Sequence, residues 1–73
     1  MRVPRLRAAR ERAFLTQEEL AQKSGVALVT ISRLEKGHRE ARISTVRKLA
    51  AALGVAPEEL VRPTAEEPGR EVA

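Results

Sequence analysis

Residues 16–37 read TQEELAQKSGVALVTISRLEKG, and two short helices around a glycine turn can be read from this stretch alone. Thr16 and Glu19 have the S/T-x-x-E spacing of a capping box, in which the hydroxyl accepts from the Glu19 amide and the carboxylate accepts from the Thr16 amide. A helix therefore starts after Thr16. Leu15 and Leu20 flank the cap and can close over it as a hydrophobic staple, setting the angle at which the chain enters. Gly25 reaches the left-handed conformation without a Cβ penalty, so the helix stops at Ser24. About three residues then lead into a second helix over residues 28–36.

Winding that second helix at about 100° per residue turns Ala27, Ile31 and Leu34 to one side. Val29, Ser32, Arg33 and Lys36 fall on the other. A core accounts for the first set. The second sets an apolar Val29 beside a hydroxyl and two cations, a mixture that solvent alone does not require, and this face is expected to meet a ligand.

The pattern Leu15-Thr16-Gln17-Glu18-Glu19-Leu20-Ala21, Gly25-Val26, Thr30-Ile31-Ser32-Arg33-Leu34-Glu35, Gly37, then Leu49-Ala50 and Leu53-Gly54-Val55 resembles the phage-repressor and Cro type of helix-turn-helix domain, the XRE family. The resemblance runs over residues 6–60. It implies an all-α, five-helix, lambda-repressor-like DNA-binding domain with its helix-turn-helix at the second and third helices. Double-stranded DNA is then the expected ligand, read by a homodimer on a palindromic site with the helix over residues 28–36 in the major groove. On such a face Val29 and Leu28 can pack on thymine methyl groups, and Arg33 can fork onto guanine O6 and N7. Ser32 suits a base or a phosphate. The alternative for Leu28 and Val29 is a protein contact.

The formal net charge of +4 is unevenly spread. Residues 1–12 hold five arginines against one glutamate, and residues 25–48 hold six cations against two glutamates. Residues 49–73 carry five glutamates against two arginines. Cations thus gather in the first helix and around the second half of the helix-turn-helix, where a polyanion would lie. Thr30, Lys36, His38, Arg39 and Arg42 are expected at phosphates, where charge matters more than geometry. Gln17, in the first turn of its helix, adds an amide donor to the partial positive charge of a helix N-terminus. Glu18 at the same end has no assigned partner.

From the amino terminus, Pro4 suits a first helical turn, so a helix is expected over residues 4–13 with Leu6, Ala9 and Ala13 inward. Arg10 lies near that inner stripe. The resemblance implies that it pairs with Glu35 and points toward a backbone phosphate; otherwise it snorkels over apolar surface. Phe14 stands where the family usually has glycine. Because phenylalanine resists positive φ, the helix is expected to end differently or extend there, with Phe14 covering the core. The family commonly has serine where this chain has Ala27, so the second helix of the motif begins without a capping hydroxyl.

Ile43, Val46, Leu49, Ala50 and Leu53 repeat at helical spacing and predict a fourth helix over residues 44–53, closed by Gly54. Ser44 is the better cap by residue type, whereas the family register caps at Arg42. Pro57, Glu58 and Glu59 open a fifth helix through residue 62, with acidic groups at its favourable end. Val55, Leu60 and Val61 include more apolar surface than one small core needs, and a two-fold dimer contact is expected there, as the resemblance also implies. The domain is expected over residues 1–62, followed by a disordered acidic tail over residues 63–73.

Without cysteine there is no disulfide, thiolate chemistry or cysteine-bound zinc to propose. One histidine, and carboxylates mostly at helix starts, suggest neither a nucleophile with its base nor a metal cluster. No enzyme activity, cofactor or metal is expected. With no signal-like or membrane-spanning run, the expected location is the cytoplasm. The leading function is sequence-specific regulation of transcription by a DNA-binding homodimer. The runner-up is an antitoxin-like or adaptor module in which Leu28, Val29 or the fifth helix binds a protein partner.

Overall fold

The capping box forms: Thr16 Oγ1 accepts from the Glu19 amide at 3.0 Å, and Glu19 Oε1 accepts from the Thr16 amide at 2.8 Å. The computed structural model describes residues 1–63, within which five helices follow one another and no strand occurs. They are α1 (Leu6–Arg12), α2 (Gln17–Ser24), α3 (Leu28–Glu35), α4 (Ile43–Leu53) and α5 (Pro57–Val61). Among the described residues, no helix is long and apolar enough to cross a membrane.

Gly25 ends α2 at φ 77°. Ser24 Oγ donates to the Leu20 carbonyl at 2.7 Å and accepts from the Val26 amide at 3.1 Å, so the turn into α3 is held from both sides. Gly25, Val26 and Ala27 are the whole connection. Buried Val26 and the buried face of α3, Ile31 and Leu34, meet fully buried Leu20 from α2. α4 packs against both α2 and α5, placing Val46, Leu49 and Ala50 at the centre, while α1 touches α3 and α5.

Several details depart from the periodicity. Pro4 lies in a turn and α1 starts two residues later than Pro4 suggests, because buried Val3 and a 3.2 Å bond from the Arg5 amide to the Leu60 carbonyl draw this segment onto α5. Ala13 is past the end of α1 and exposed. Ala27 caps α3 in an extended conformation, so helical winding does not turn it inward; it is exposed. α4 starts at Ile43 with Arg42 as its cap residue, in the family register rather than at Ser44. Ile43 is 59% exposed, since side chains lean toward a helix's N-terminus and the first one overhangs the core edge. Buried Ala41 fills the position beside it.

The expectation for Phe14 is overturned twice. It adopts φ 59°, and it is 92% exposed rather than covering the core. Helix α1 ends in a Schellman turn in which the Phe14 amide donates to the Glu11 carbonyl at 2.9 Å and the Leu15 amide to the Arg10 carbonyl at 3.2 Å. Those bonds, with Leu15 packed on the core, impose the glycine-like conformation on a phenylalanine. A left-handed L-residue costs roughly 1–2 kcal/mol, and glycine returns part of that through a freer unfolded chain. Phe14→Gly is therefore expected to stabilise the fold by up to about 1 kcal/mol, raising Tm by roughly 4 °C in a thermal melt. An unchanged or lower Tm would show that Phe14 is not strained.

Leu60, expected among dimer contacts, is fully buried within the protein's own core. Val55 and Val61 are partly buried and pack on that core. The acidic-tail expectation concerns residues beyond Pro63 and lies outside the described residues, apart from Pro63 itself.

Candidate nucleic-acid interface

One ion-pair network fixes how α3 sits on the rest of the protein. Arg10 Nε donates to Glu35 Oε2 at 2.6 Å, Nη2 donates to Glu35 Oε1 at 3.0 Å, and Nη1 donates to the Leu15 carbonyl at 2.9 Å. Gln17 Nε2 donates to Glu35 Oε1 at 3.0 Å. A single carboxylate at the end of α3 thus ties together α1, the turn after it and the start of α2. The hydrogen bonds to Glu35 push the Arg10 pKa above the usual arginine value, outweighing the opposite effect of desolvation. The Arg10 side chain is 12% exposed and that of Glu35 is 4% exposed. Three of the five Arg10 N–H donors are thus used within the protein, so Arg10 holds α3 to α1 and to the turn before α2. One Gln17 Nε2 hydrogen is used on Glu35, and the second has no partner among the described residues.

Anchored in this way, α3 presents Val29 at 54% exposure, with Leu28 at its tip and Arg33 and Lys36 also exposed. Ser32 and Thr30 are half-buried. Among the described residues none buries Val29 or Arg33, and half-buried Ser32 lies between them, so three chemically different side chains share one face. The α3 start has no side-chain cap, as Ala27 requires, which leaves its first amides open.

Beside α3 runs a groove of about 440 Å³ whose lining includes Thr30, Arg39, Arg42, Ser44, Thr45 and Lys48. Among the described residues, Arg39, Arg42 and Lys48 have no ion-pair partner, and all three are exposed. The start of α4 opens into this groove without a side-chain cap, so its amides and partial positive charge add to the cations. Hydroxyls, ammonium, guanidinium and free amides around one trough suit the oxygens of a sugar-phosphate backbone. Glu40 also lines it, but faces the Met1 amino group at 3.6 Å and Arg2 Nε at 4.0 Å. His38 is exposed in the same loop. Among the described residues, no three His, Cys, Asp or Glu side chains are grouped to hold a metal ion.

Sequence reasoning missed Ser44, Thr45 and Lys48. Their spacing was the available signal: residues three and four apart share a helix face, and here that face lies opposite Val46, Leu49 and Ala50. The strap that supports the loop was also missed, because its bonds are between backbones. The Ala41 amide donates to the Met1 carbonyl and the Met1 amino group donates to the Ala41 carbonyl, each at 2.7 Å. Arg2 Nη1 adds a bond to the Gly37 carbonyl at 3.1 Å.

Residues 6–60 match the family model described as helix-turn-helix. An uncharacterized HTH-type transcriptional regulator, y4dJ, of Sinorhizobium fredii is 48% identical over 54 residues, which make up 74% of this chain and 70% of that protein. The HTH-type transcriptional repressor RghR of Bacillus subtilis is 46% identical over 57 residues, 77% of this chain but 42% of its own length. Among solved structures, the restriction-modification controller protein C.AhdI from Aeromonas hydrophila aligns with a TM-score of 0.74 and 39% identity, covering 77% of this chain and 85% of that one.

Proposed function

The chain belongs to the helix-turn-helix family of DNA-binding transcriptional regulators, and from that premise we propose that it is a sequence-specific binder of double-stranded DNA acting as a homodimer. The observation that carries this reading is the α3 face of exposed Val29 and Arg33 with half-buried Ser32, lying beside a groove lined by Arg39, Arg42 and Lys48. Helix α3 enters the major groove, where Arg33 takes guanine O6 and N7 and Val29, with Leu28, takes thymine methyls. Arg39, Arg42, Lys48, Thr30 and the start of α4 follow one strand, and Lys36, His38 and the start of α2 with Gln17 add to the hold on the backbone. Such contacts position the protein without reading sequence. The location that goes with this ligand is the cytoplasm.

Selection of bound duplexes from a random pool at physiological salt tests the reading. Enrichment of a palindrome supports it; a pool that stays random while a protein partner is captured through Leu28 and Val29 favours the adaptor instead. Within an enriched site, Arg33→Ala is expected to cost about 1–3 kcal/mol and to blur discrimination at one base position. An equal loss on every sequence would remove Arg33 as a base reader.

The dimer contact is assigned to the α4–α5 face. Met1, Ile43, Val46, Pro57 and Val61 line an apolar hollow of about 320 Å³ there, with Arg47 and Glu58 also on it. A two-fold contact sets residue i against j and j against i, and the opposite charges of Arg47 and Glu58 on the rim are compatible with such a self-complementary face. Because Ile43 is exposed at the first position of α4, Ile43→Asp leaves the fold intact and even complements the helix dipole. It is expected to turn a micromolar dimer into a monomer by light scattering, and a monomeric unsubstituted protein, free and on DNA, would remove the dimer.

A further inference from the structure

A second groove of about 440 Å³ lies on the other side of the loop after α3, and it contains the point at which the described chain ends. Arg2, Pro4, Lys36, Arg39, Val61 and Pro63 are among its lining residues. The Pro63 carbonyl accepts a 3.1 Å bond from Arg5 Nε, which fixes where the chain leaves α5. Lys36 and Arg39 have no ion-pair partner among the described residues, and Arg2 has only the long 4.0 Å approach to Glu40. The groove is therefore cationic at one end and apolar along Pro4 and Val61, and the chain exits inside it.

Residues 64–73 read TAEEPGREVA, with Glu66, Glu67 and Glu71 against Arg70. At no more than about 3.3–3.6 Å per residue, Glu66 and Glu67 stay within roughly 14 Å of Pro63, so the paired carboxylates are confined to the neighbourhood of that groove. We propose that residues 64–73 dock in this groove, with Glu66 and Glu67 against Lys36, Arg39 and Arg2, and so compete with DNA for cations of the interface. The proposal rests on the DNA-binding reading and adds regulation to it. Tethering holds such a segment at an effective concentration in the millimolar range, so a weak contact is enough to occupy the groove for much of the time. The apparent affinity for DNA then falls by the fraction of molecules left open.

The test uses the full chain carrying Glu66→Gln and Glu67→Gln, and a second form ending at Pro63, which keeps every core residue from Val3 to Leu60. Without DNA, the Lys36, Gly37 and Arg39 amide resonances are expected to move in both forms relative to the unsubstituted protein. Affinity for a random-sequence duplex is expected to rise about three- to tenfold at low salt, with the gap closing as ionic strength screens the contact. Unmoved resonances with equal affinities would overturn docking while leaving DNA binding in place. Moved resonances in a protein that binds no duplex would keep docking and reject the DNA reading. Shifts that vary with protein concentration would assign the groove to a second copy and also overturn the proposal.

Discussion

Glu35→Ala is expected to remove roughly half of the protein's stability. The substitution removes the carboxylate that accepts from Arg10 twice and from Gln17 once, and it strands a guanidinium whose side chain is 12% exposed. Breaking a buried pair from one side costs about 3–5 kcal/mol, because the remaining charge keeps its desolvation penalty. At roughly 0.05–0.15 kcal/mol per residue, a domain of this size has only about 4–11 kcal/mol in total. Urea titration followed by circular dichroism reads the loss. The double variant Arg10→Met, Glu35→Leu should recover most of it, since apolar replacement of both partners is often neutral or better. A loss below about 1 kcal/mol in the single variant would mean that the network orients α3 without stabilising it. If the double variant keeps its fold but loses DNA selectivity, orientation is the separate contribution of the pair.

The second large effect is on binding. Replacing Arg39, Arg42 and Lys48 together by alanine is expected to lower the dependence of log affinity on log salt by about 2.7, at about 0.9 per phosphate contact. At about 0.1 M salt this corresponds to a loss of roughly two to three orders of magnitude, equal on all duplexes. The fold should be unaffected, because all three side chains are exposed and none takes part in a side-chain hydrogen bond among the described residues. An unchanged salt slope would remove the groove beside α3 as the path of the backbone, whatever became of affinity.

What could be read in advance followed local chemistry. The capping box at Thr16 and Glu19, Gly25 after α2, Gly54 after α4 and Pro57 at the start of α5 each act through bonds or dihedrals within a few residues, and each stands where its residue type puts it. The misreadings came where distant parts of the chain decide. Val55, Leu60 and Val61 together offer more apolar surface than a small core needs, and their pattern does not say which is spare; the amino-terminal segment bonds to the Leu60 carbonyl and Leu60 is core. Phe14 was judged by its own preference, while the Schellman bonds and the burial of Leu15 outweigh that preference. The pairing of Arg10 with Glu35 came from family resemblance, and no spacing rule joins residues 25 apart. Of the interface, the α3 face was legible from helical winding. The trough at the start of α4 was not, because it exists only once a loop, a helix end and a strap converge.

That strap has a consequence for how the protein arrives at a duplex. With Met1 and Ala41 exchanging backbone bonds, the loop after α3 is ordered when the chain folds, and its conformational freedom has gone before any encounter. Little rearrangement is then left between collision and capture. The speed of capture should be governed by long-range attraction between a cationic trough and a polyanion, and a duplex that fits poorly would be distinguished by how soon it is released.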